Sequence, residues 1–417
     1  MQEDWDVVII GAGLAGLSAA VTAAERGRRV LVLEALDRAG GLCGSWRWEG
    51  LRVPRACCEF SLVMDRELSR MGIRLPFARA RTRFFGSGRR PGLSDLGGAA
   101  AIAARLLRAD TLEDARAAAP TNPLAEALAG LCAASGVPPW ALPAADLRRK
   151  LLSGSAPLLA CRRLPVGGPQ IVVDALVERL RSLGGTLRLG VRAGATRRDG
   201  RWLQVDAGGQ AIVTRALISC RPPWERFPTD APRGLSYAQL ILEVSPDYRL
   251  PDGATGVYDY PTPIVDWLGA LDRGEPCEGF GYHLFQEHRD PSVTGPGVVG
   301  GYLLMPQGEE RCDDARRTQL AESVFERVAA HLPGLEDALL RWHLVDPSEF
   351  RERHGLRPVI LDRLPAPGTS RPPAWDPDEG VRYLSAAVGP AVDHADGAVR
   401  LGARAGADAA RRSAGVS

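Results

Sequence analysis

Long hydrophobic runs are missing from this sequence. Its most apolar later stretches, Leu96 to Leu107 and Leu124 to Ala134, are interrupted by Arg or Glu and fall short of the ~20 residues that a bilayer crossing needs, so no transmembrane segment is expected. Charge of one sign is also missing. The 52 basic and 50 acidic residues leave a net +2 with no block of like charge, which removes the electrostatic case for nucleic acid or another polyanion as a partner. Lysine is nearly absent, Lys150 being the sole one; the arginine bias, with abundant Ala, Gly and Pro, points to a GC-rich bacterial genome and not to a mechanism. The eight cysteines (Cys43, Cys57, Cys58, Cys132, Cys161, Cys220, Cys277, Cys312) show no C-x-x-C pairing, so no metal site is expected and the thiols read as reduced. Adjacent Cys57 and Cys58 would close only a strained ring. The first strand begins almost at once, at Asp6, leaving no room for a charged and then apolar leader, and a cytoplasmic location is expected.

What is present is a chain of 417 residues, 45% hydrophobic and 24% charged, too long for one core and ordinary enough to fold as two domains. Asp6 to Ile10 is a continuous run of strand formers leading into Gly11-Ala12-Gly13-Leu14-Ala15-Gly16 and an Ala-rich helical stretch to Arg26. Gly11 permits a tight turn, Gly13 a close approach to a diphosphate, and Gly16 close helix–strand packing; the helix N-terminus offers N–H groups to the phosphate. A second strand, Arg29 to Leu33, ends at Glu34, about twenty residues past the turn, where an acid accepts hydrogen bonds from a ribose. A lone G-x-G-x-x-G would say little, but strand, helix, second strand and acid agree, and the fold class is α/β with a Rossmann-like dinucleotide-binding domain.

The continuation Glu34-Ala35-Leu-Asp-Arg38-Ala-Gly40-Gly41 resembles the E-A-x-x-R-x-G-G extension of the amine oxidase and phytoene desaturase superfamily of flavoproteins, in which the paired glycines pass close to the FAD diphosphate. Leu164-Pro165-Val-Gly167-Gly168, the amphipathic stretch Ile171 to Leu183 and the Gly184 to Val191 strand are similar to the family's second landmark. The resemblance implies that short strands at Arg201 to Val205, Ala211 to Thr214 and Ala216 to Ser219 form a β-meander completing the sheet. It also implies that the Val191 backbone pairs with adenine, although from the residues alone Val191 reads as a plain strand valine. Val381-Arg-Tyr-Leu-Ser-Ala-Ala-Val-Gly389-Pro and Asp396-Gly397-Ala398-Val399-Arg-Leu-Gly402 are similar to the C-terminal segment whose helix N-terminus faces the flavin pyrimidine edge, with Asp393 or Asp396 as N-cap. The chain departs from the family at Leu42, where an arginine is usual, and at Ala386 and Ala387, where an acid is usual; Arg38, Arg47 or Ser45 would rebuild the phosphate contacts.

The resemblance implies non-covalent FAD, a parallel sheet with β-meander built from 1–61, 162–234 and 354–417, and a mixed α+β substrate domain from 62–161 and 235–353. The first insertion reads as helices broken by prolines; the second mixes strands at Ala238 to Val244 and Val298 to Met305 with a helix at Ala315 to Leu332. Function is expected to be hydride transfer from an apolar or polycyclic small molecule to flavin N5, as in a desaturase, dehydrogenase or oxidase of secondary or isoprenoid metabolism. The sole lysine, Lys150, falls in an Arg-rich helical segment of the first insertion, which disfavours lysine-assisted amine oxidation. His394, two residues before Asp396, is the candidate acid or base, with a capping or surface role as its alternative. His283 and His288 alternate with aromatics and read as ordinary strand residues. Trp140, Trp224, Tyr258, Tyr260, Trp267, Phe280, Phe285, Phe325 and Trp342 suit an apolar pocket or a core. A non-redox isomerase or cyclase that keeps FAD, and a non-catalytic binding protein on the same fold, are the competing readings.

Overall fold

The computed structural model describes residues 3–56, 60–85, 92–152, 162–221, 234–275, 279–286, 295–359, 374–378, 380–384 and 394–414. Strand β1 (Glu3–Ile10) lies at the centre of the first sheet, parallel to β2 (Val30–Leu33) on one side and to Gln210–Ser219 on the other. Thr186–Arg188 extends the sheet beyond β2, and Val381–Tyr383 joins parallel to the end of Gln210–Ser219. The β1 side chains are apolar on both faces because both faces are covered. Val7 and Ile9 meet helices, whereas Val8 and Ile10 meet the antiparallel meander Ala193–Asp199, Trp202–Ala207 and Gln210–Ser219.

Three helices cover the first of these faces: α1 (Leu14–Ala24), Gln170–Ser182 and the C-terminal helix His394–Ala414. The small residues of α1 let the C-terminal helix come unusually close. A Cβ on Gly402 would stand 2.1 Å from the Ala15 carbonyl oxygen, and one on Gly406 would stand 2.2 Å from that of Ala19.

The second sheet is six-stranded, in the order Leu339–Val345, Tyr237–Val244, Gly297–Leu304, Tyr282–Gln286, Gly256–Asp259, Thr82–Phe85. Helix Asp314–Ala329 packs on one face; helices Leu96–Leu106, Pro123–Ser135 and Ile264–Asp272 pack on the other. The architecture is therefore α/β with a Rossmann-like unit, joined to a mixed second layer.

Four local expectations are corrected. The first insertion is not wholly helical: its Thr82–Phe85 pairs in parallel with Gly256–Asp259 and forms an edge of the second sheet. The two strands expected at Ala211 and Ala216 are one, because Thr214 turns its hydroxyl to the Ala216 carbonyl without breaking the ladder to β1. Val191 lies beyond the end of its strand, which stops at Arg188. The C-terminal helix starts at His394, so Asp396 sits inside its first turn and is not its cap. No described helix is long and apolar enough to cross a membrane.

Candidate dinucleotide and substrate site

β1 ends at Gly11, whose φ of 103° turns the chain toward α1, and Gly13 is the N-cap residue of α1. A Cβ on Gly16 would stand 1.9 Å from the Gly11 carbonyl oxygen, so only glycine lets helix and turn meet. Leu14 is buried and Ala15 faces the C-terminal helix. Glu34, 9% exposed, accepts from the Ala12 N–H at 2.7 Å and from the Leu36 N–H at 2.9 Å. Its carboxylate thereby ties the glycine turn to the loop after β2, with Ala35 exposed beside it. That loop returns to the turn: the Gly40 N–H donates to the Ala12 carbonyl at 2.8 Å, Gly40 bridges Gly13, and a Cβ on Gly41 would lie 3.5 Å from Gly13 Cα. The motif residues Gly11 to Gly16, Glu34, Gly40 and Gly41 are thus brought together around the N-terminus of α1.

Val191 stands against the same loop, its N–H donating to the Glu34 carbonyl at 2.8 Å. An adenine contact there would go through the Val191 carbonyl or side chain, since the N–H is engaged. Gly397 and Ala398 belong to the first turn of the C-terminal helix, and the Asp396 carboxylate accepts from the Ser61 N–H at 3.2 Å. Gly389 and the His394 side chain lie outside the described residues, as do Cys57, Cys58, Trp224, His288 and the Lys150 side chain.

Of the three residues expected to rebuild phosphate contacts, Arg38 turns toward the end of the Pro347–His354 helix, reaching the Arg353 carbonyl and His354 Nδ1 at 3.3 Å each. Arg47 lies exposed on the Ser45–Trp48 and Leu51–Pro54 hairpin, bonded to the Gly50 carbonyl. Ser45 receives, through its carbonyl, a bond from Arg55 at 3.1 Å. Arg55 was not singled out by any motif, yet its side chain is completely buried beneath the Gly41 to Ser45 loop and donates also to the Gly41 carbonyl. Burial, then the positive charge of Arg38, lowers its pKa to about 10, so it stays charged at neutral pH. Burial and the same arginines, with Arg353, push His354 down to about 3 and keep it neutral.

Toward the second sheet, Tyr237 and Gln239 reach Arg55 and Pro54: the Tyr237 hydroxyl donates to the Arg55 carbonyl at 3.4 Å, and Gln239 Nε2 to that of Pro54 at 2.6 Å. The same face carries a run of rings. Phe84 stacks on Tyr258 at 4.4 Å, Tyr258 on His283 at 3.8 Å, and Tyr302 lies 4.7 Å from Tyr237. His283 is thus a ring in this layer, as an alternating strand residue should be. Cys220 packs against Gly11 and Gly16, and burial pushes its thiol up to about 12, which makes it inert. Among the described residues no group of His, Cys, Asp and Glu is placed to hold a metal.

Residues 9–62 match the model of an NAD(P)-binding Rossmann-like domain. An all-trans-retinol 13,14-reductase of Danio rerio is 50% identical over 50 residues, 12% of this chain and 8% of the reductase; the chain thus matches only a small part of that relative's length. Among solved structures, an oxidoreductase from Methanosarcina mazei superposes with a TM-score of 0.70 at 13% identity, over 97% of this chain and 100% of that one. A putrescine oxidase bound to putrescine superposes with a TM-score of 0.65 at 16% identity, over 98% and 99%. The chain therefore carries at its N-terminus a Rossmann-like dinucleotide-binding domain of the kind that such oxidoreductases contain, set in a fold that it shares with an amine oxidase.

Proposed function

We propose that this protein is an FAD-dependent oxidoreductase of the desaturase, dehydrogenase or oxidase kind, acting in the cytoplasm on an apolar or polycyclic small molecule of secondary or isoprenoid metabolism. The observation that carries the reading is the convergence of the Gly11 to Gly16 turn, Glu34 and the Gly40–Gly41 loop on one helix N-terminus. The residues fit a dinucleotide. Around Gly13 no atom of a described residue stands within 4 Å of where a Cβ would point, and α1 has neither a side-chain cap nor an acid in its first turn. Its N–H groups can thus serve a diphosphate.

Bound there, FAD would be held by Gly11 to Gly16, Glu34, Ala35, Gly40, Gly41 and Val191, with Gly389, Gly397 and Ala398 at the flavin end and Arg38 at the loop. The flavin supplies the hydride-accepting chemistry. The protein's part is to place the substrate and exclude water. The buried rings of Tyr237, Tyr258, Phe285 and Tyr302, which share one apolar cluster with Trp267, support an apolar substrate. His394, at the head of the C-terminal helix, is the residue we assign to proton handling.

The test is cofactor uptake. Purified protein should be yellow or become so with FAD, and acid precipitation should release the colour. Glu34→Ala should hold FAD more weakly by the ~1.5–3 kcal/mol typical of charged hydrogen bonds. Wild-type protein that stays colourless in excess FAD overturns the reading.

A further inference from the structure

Arg55 is a buried cation with no ion-pair partner among the described residues; Asp37 and Glu34 act on its charge only from farther away. Three other arginines that reach inward through the second layer are matched by carboxylates: Arg317 by Asp346 and Glu349, Arg327 by Asp259, Arg341 by Glu243. Arg55 is 0% exposed, and among the described residues it bonds only the neutral carbonyls of Gly41 and Ser45, no carboxylate lies within ion-pair distance and its Nε has no partner. An unpaired buried charge is among the most unfavourable arrangements a fold can hold, and the chain makes room for it: a Cβ on Gly44 would stand 2.6 Å from the guanidinium.

The surroundings hold further unmet donors. Among the described residues Arg38 Nε, Trp46 Nε1 and His354 Nε2 are buried without a partner. Because His354 Nδ1 faces an Arg38 N–H at 3.3 Å, Nδ1 is the acceptor and Nε2 carries the proton. Trp46 and His354 are in ring contact at 5.1 Å, so these donors lie in one cluster. Four N–H groups on two cations, an indole and a neutral imidazole call for oxygen acceptors; Arg38 already pairs with Asp37 at 2.9 Å, so it is the Arg55 charge that calls for a negative one.

We infer that Arg55, with Arg38, Trp46 and His354, forms an anion-recognition centre where the Gly41 to Ser45 loop meets the second layer, and that it takes the oxygens of a phosphate or carboxylate. The anion comes either from the dinucleotide or from a carboxylate-bearing small molecule in the substrate space. The inference rests on the dinucleotide reading above. An arginine is suited to it because its planar fork matches both oxyanions, and a charge-assisted bond in the interior is strong.

The experiment compares wild type, Arg55→Gln and Arg55→Lys in two titrations: ADP added to apo-protein, and benzoate added to FAD-loaded protein and followed by flavin absorbance. Arg55→Gln should weaken one ligand at least tenfold and leave the other within twofold. Loss confined to ADP assigns the anion to the dinucleotide, and loss confined to benzoate assigns it to the substrate. Unchanged binding of both overturns the inference. Equal loss of both with a lowered melting temperature overturns it too, since Arg55 would then only staple the loop. If Arg55→Gln does not fold, Arg55→Lys, which keeps the charge and loses the fork, should show the same one-sided loss at three- to tenfold, and equal or no loss is again fatal. Wild type that takes up no FAD removes the parent reading instead, so the two failures are told apart.

Discussion

Glu34 shows how a side chain that a motif marks for a ligand also has a part in the fold. The sequence marks it as a ribose acceptor by its distance from the glycine turn, and its two main-chain bonds to Ala12 and Leu36 show that the carboxylate also shapes the cradle. Such residues are legible because their chemistry is local: a strand, a turn of required geometry, an acid at the next strand end. Arg55 was not legible. Its burial is decided by Tyr237 and Gln239, 182 and 185 positions from the residues they bond, and nothing in Val-Pro-Arg-Ala announces that such packing will enclose an arginine. His394 belongs to a third kind, named by position alone. If its imidazole moves a proton at the flavin, His394→Ala should lower substrate-dependent flavin reduction roughly a hundredfold while FAD content and melting temperature hold. Rates equal to wild type at every pH would leave the flavin and the pocket shape as the only catalysts.

Among the elements, the contact of α1 with the C-terminal helix positions the glycine turn most directly, because the C-terminal helix packs against the first turns of α1. Gly402 and Gly406 are four apart on one helix face, against Ala15 and Ala19, which are four apart on the other. That spacing is the i, i+4 geometry at which small residues let backbones touch. The sequence offered Gly402 as the last residue of a flavin motif that opens the helix. The structure puts it eight residues inside the helix, where its function is close approach. Gly402→Val should therefore overpack the seam and destabilise the protein by ~1–3 kcal/mol, visible as a lower melting temperature. Arg404→Ala, on the exposed side of the same helix, should stay within about 0.5 kcal/mol. Equal effects of the two would mean the seam can relax, and that the glycines are not what sets the helix spacing.

At the scale of the whole molecule, the helix Pro347–His354 joins the layers. Glu349 near its start bonds His343 of the second-sheet edge and Arg317 of the Asp314–Ala329 helix, with Arg353 one turn on; Asp346 shares Arg317. His354 at its end touches Arg38 of the dinucleotide loop. Sequence periodicity identified most of these elements but not this strut, because its meaning lies in which charges it brings together. The His343 imidazole, then Arg317 and Arg353, hold the Glu349 carboxyl far below the usual range. A depressed folded-state pKa contributes stability that is complete above the unfolded-state value, about 4.3, and is lost as pH falls from there toward the folded-state value. Glu349→Gln removes that contribution at every pH. The melting temperatures of wild type and Glu349→Gln should therefore differ by a constant amount between about pH 5 and 7 and converge below about pH 4.3. A gap that persists undiminished to pH 3 would show that Glu349 stabilises the strut through packing rather than charge, and that the two layers are joined chiefly by the apolar contacts of Phe350 and Tyr237.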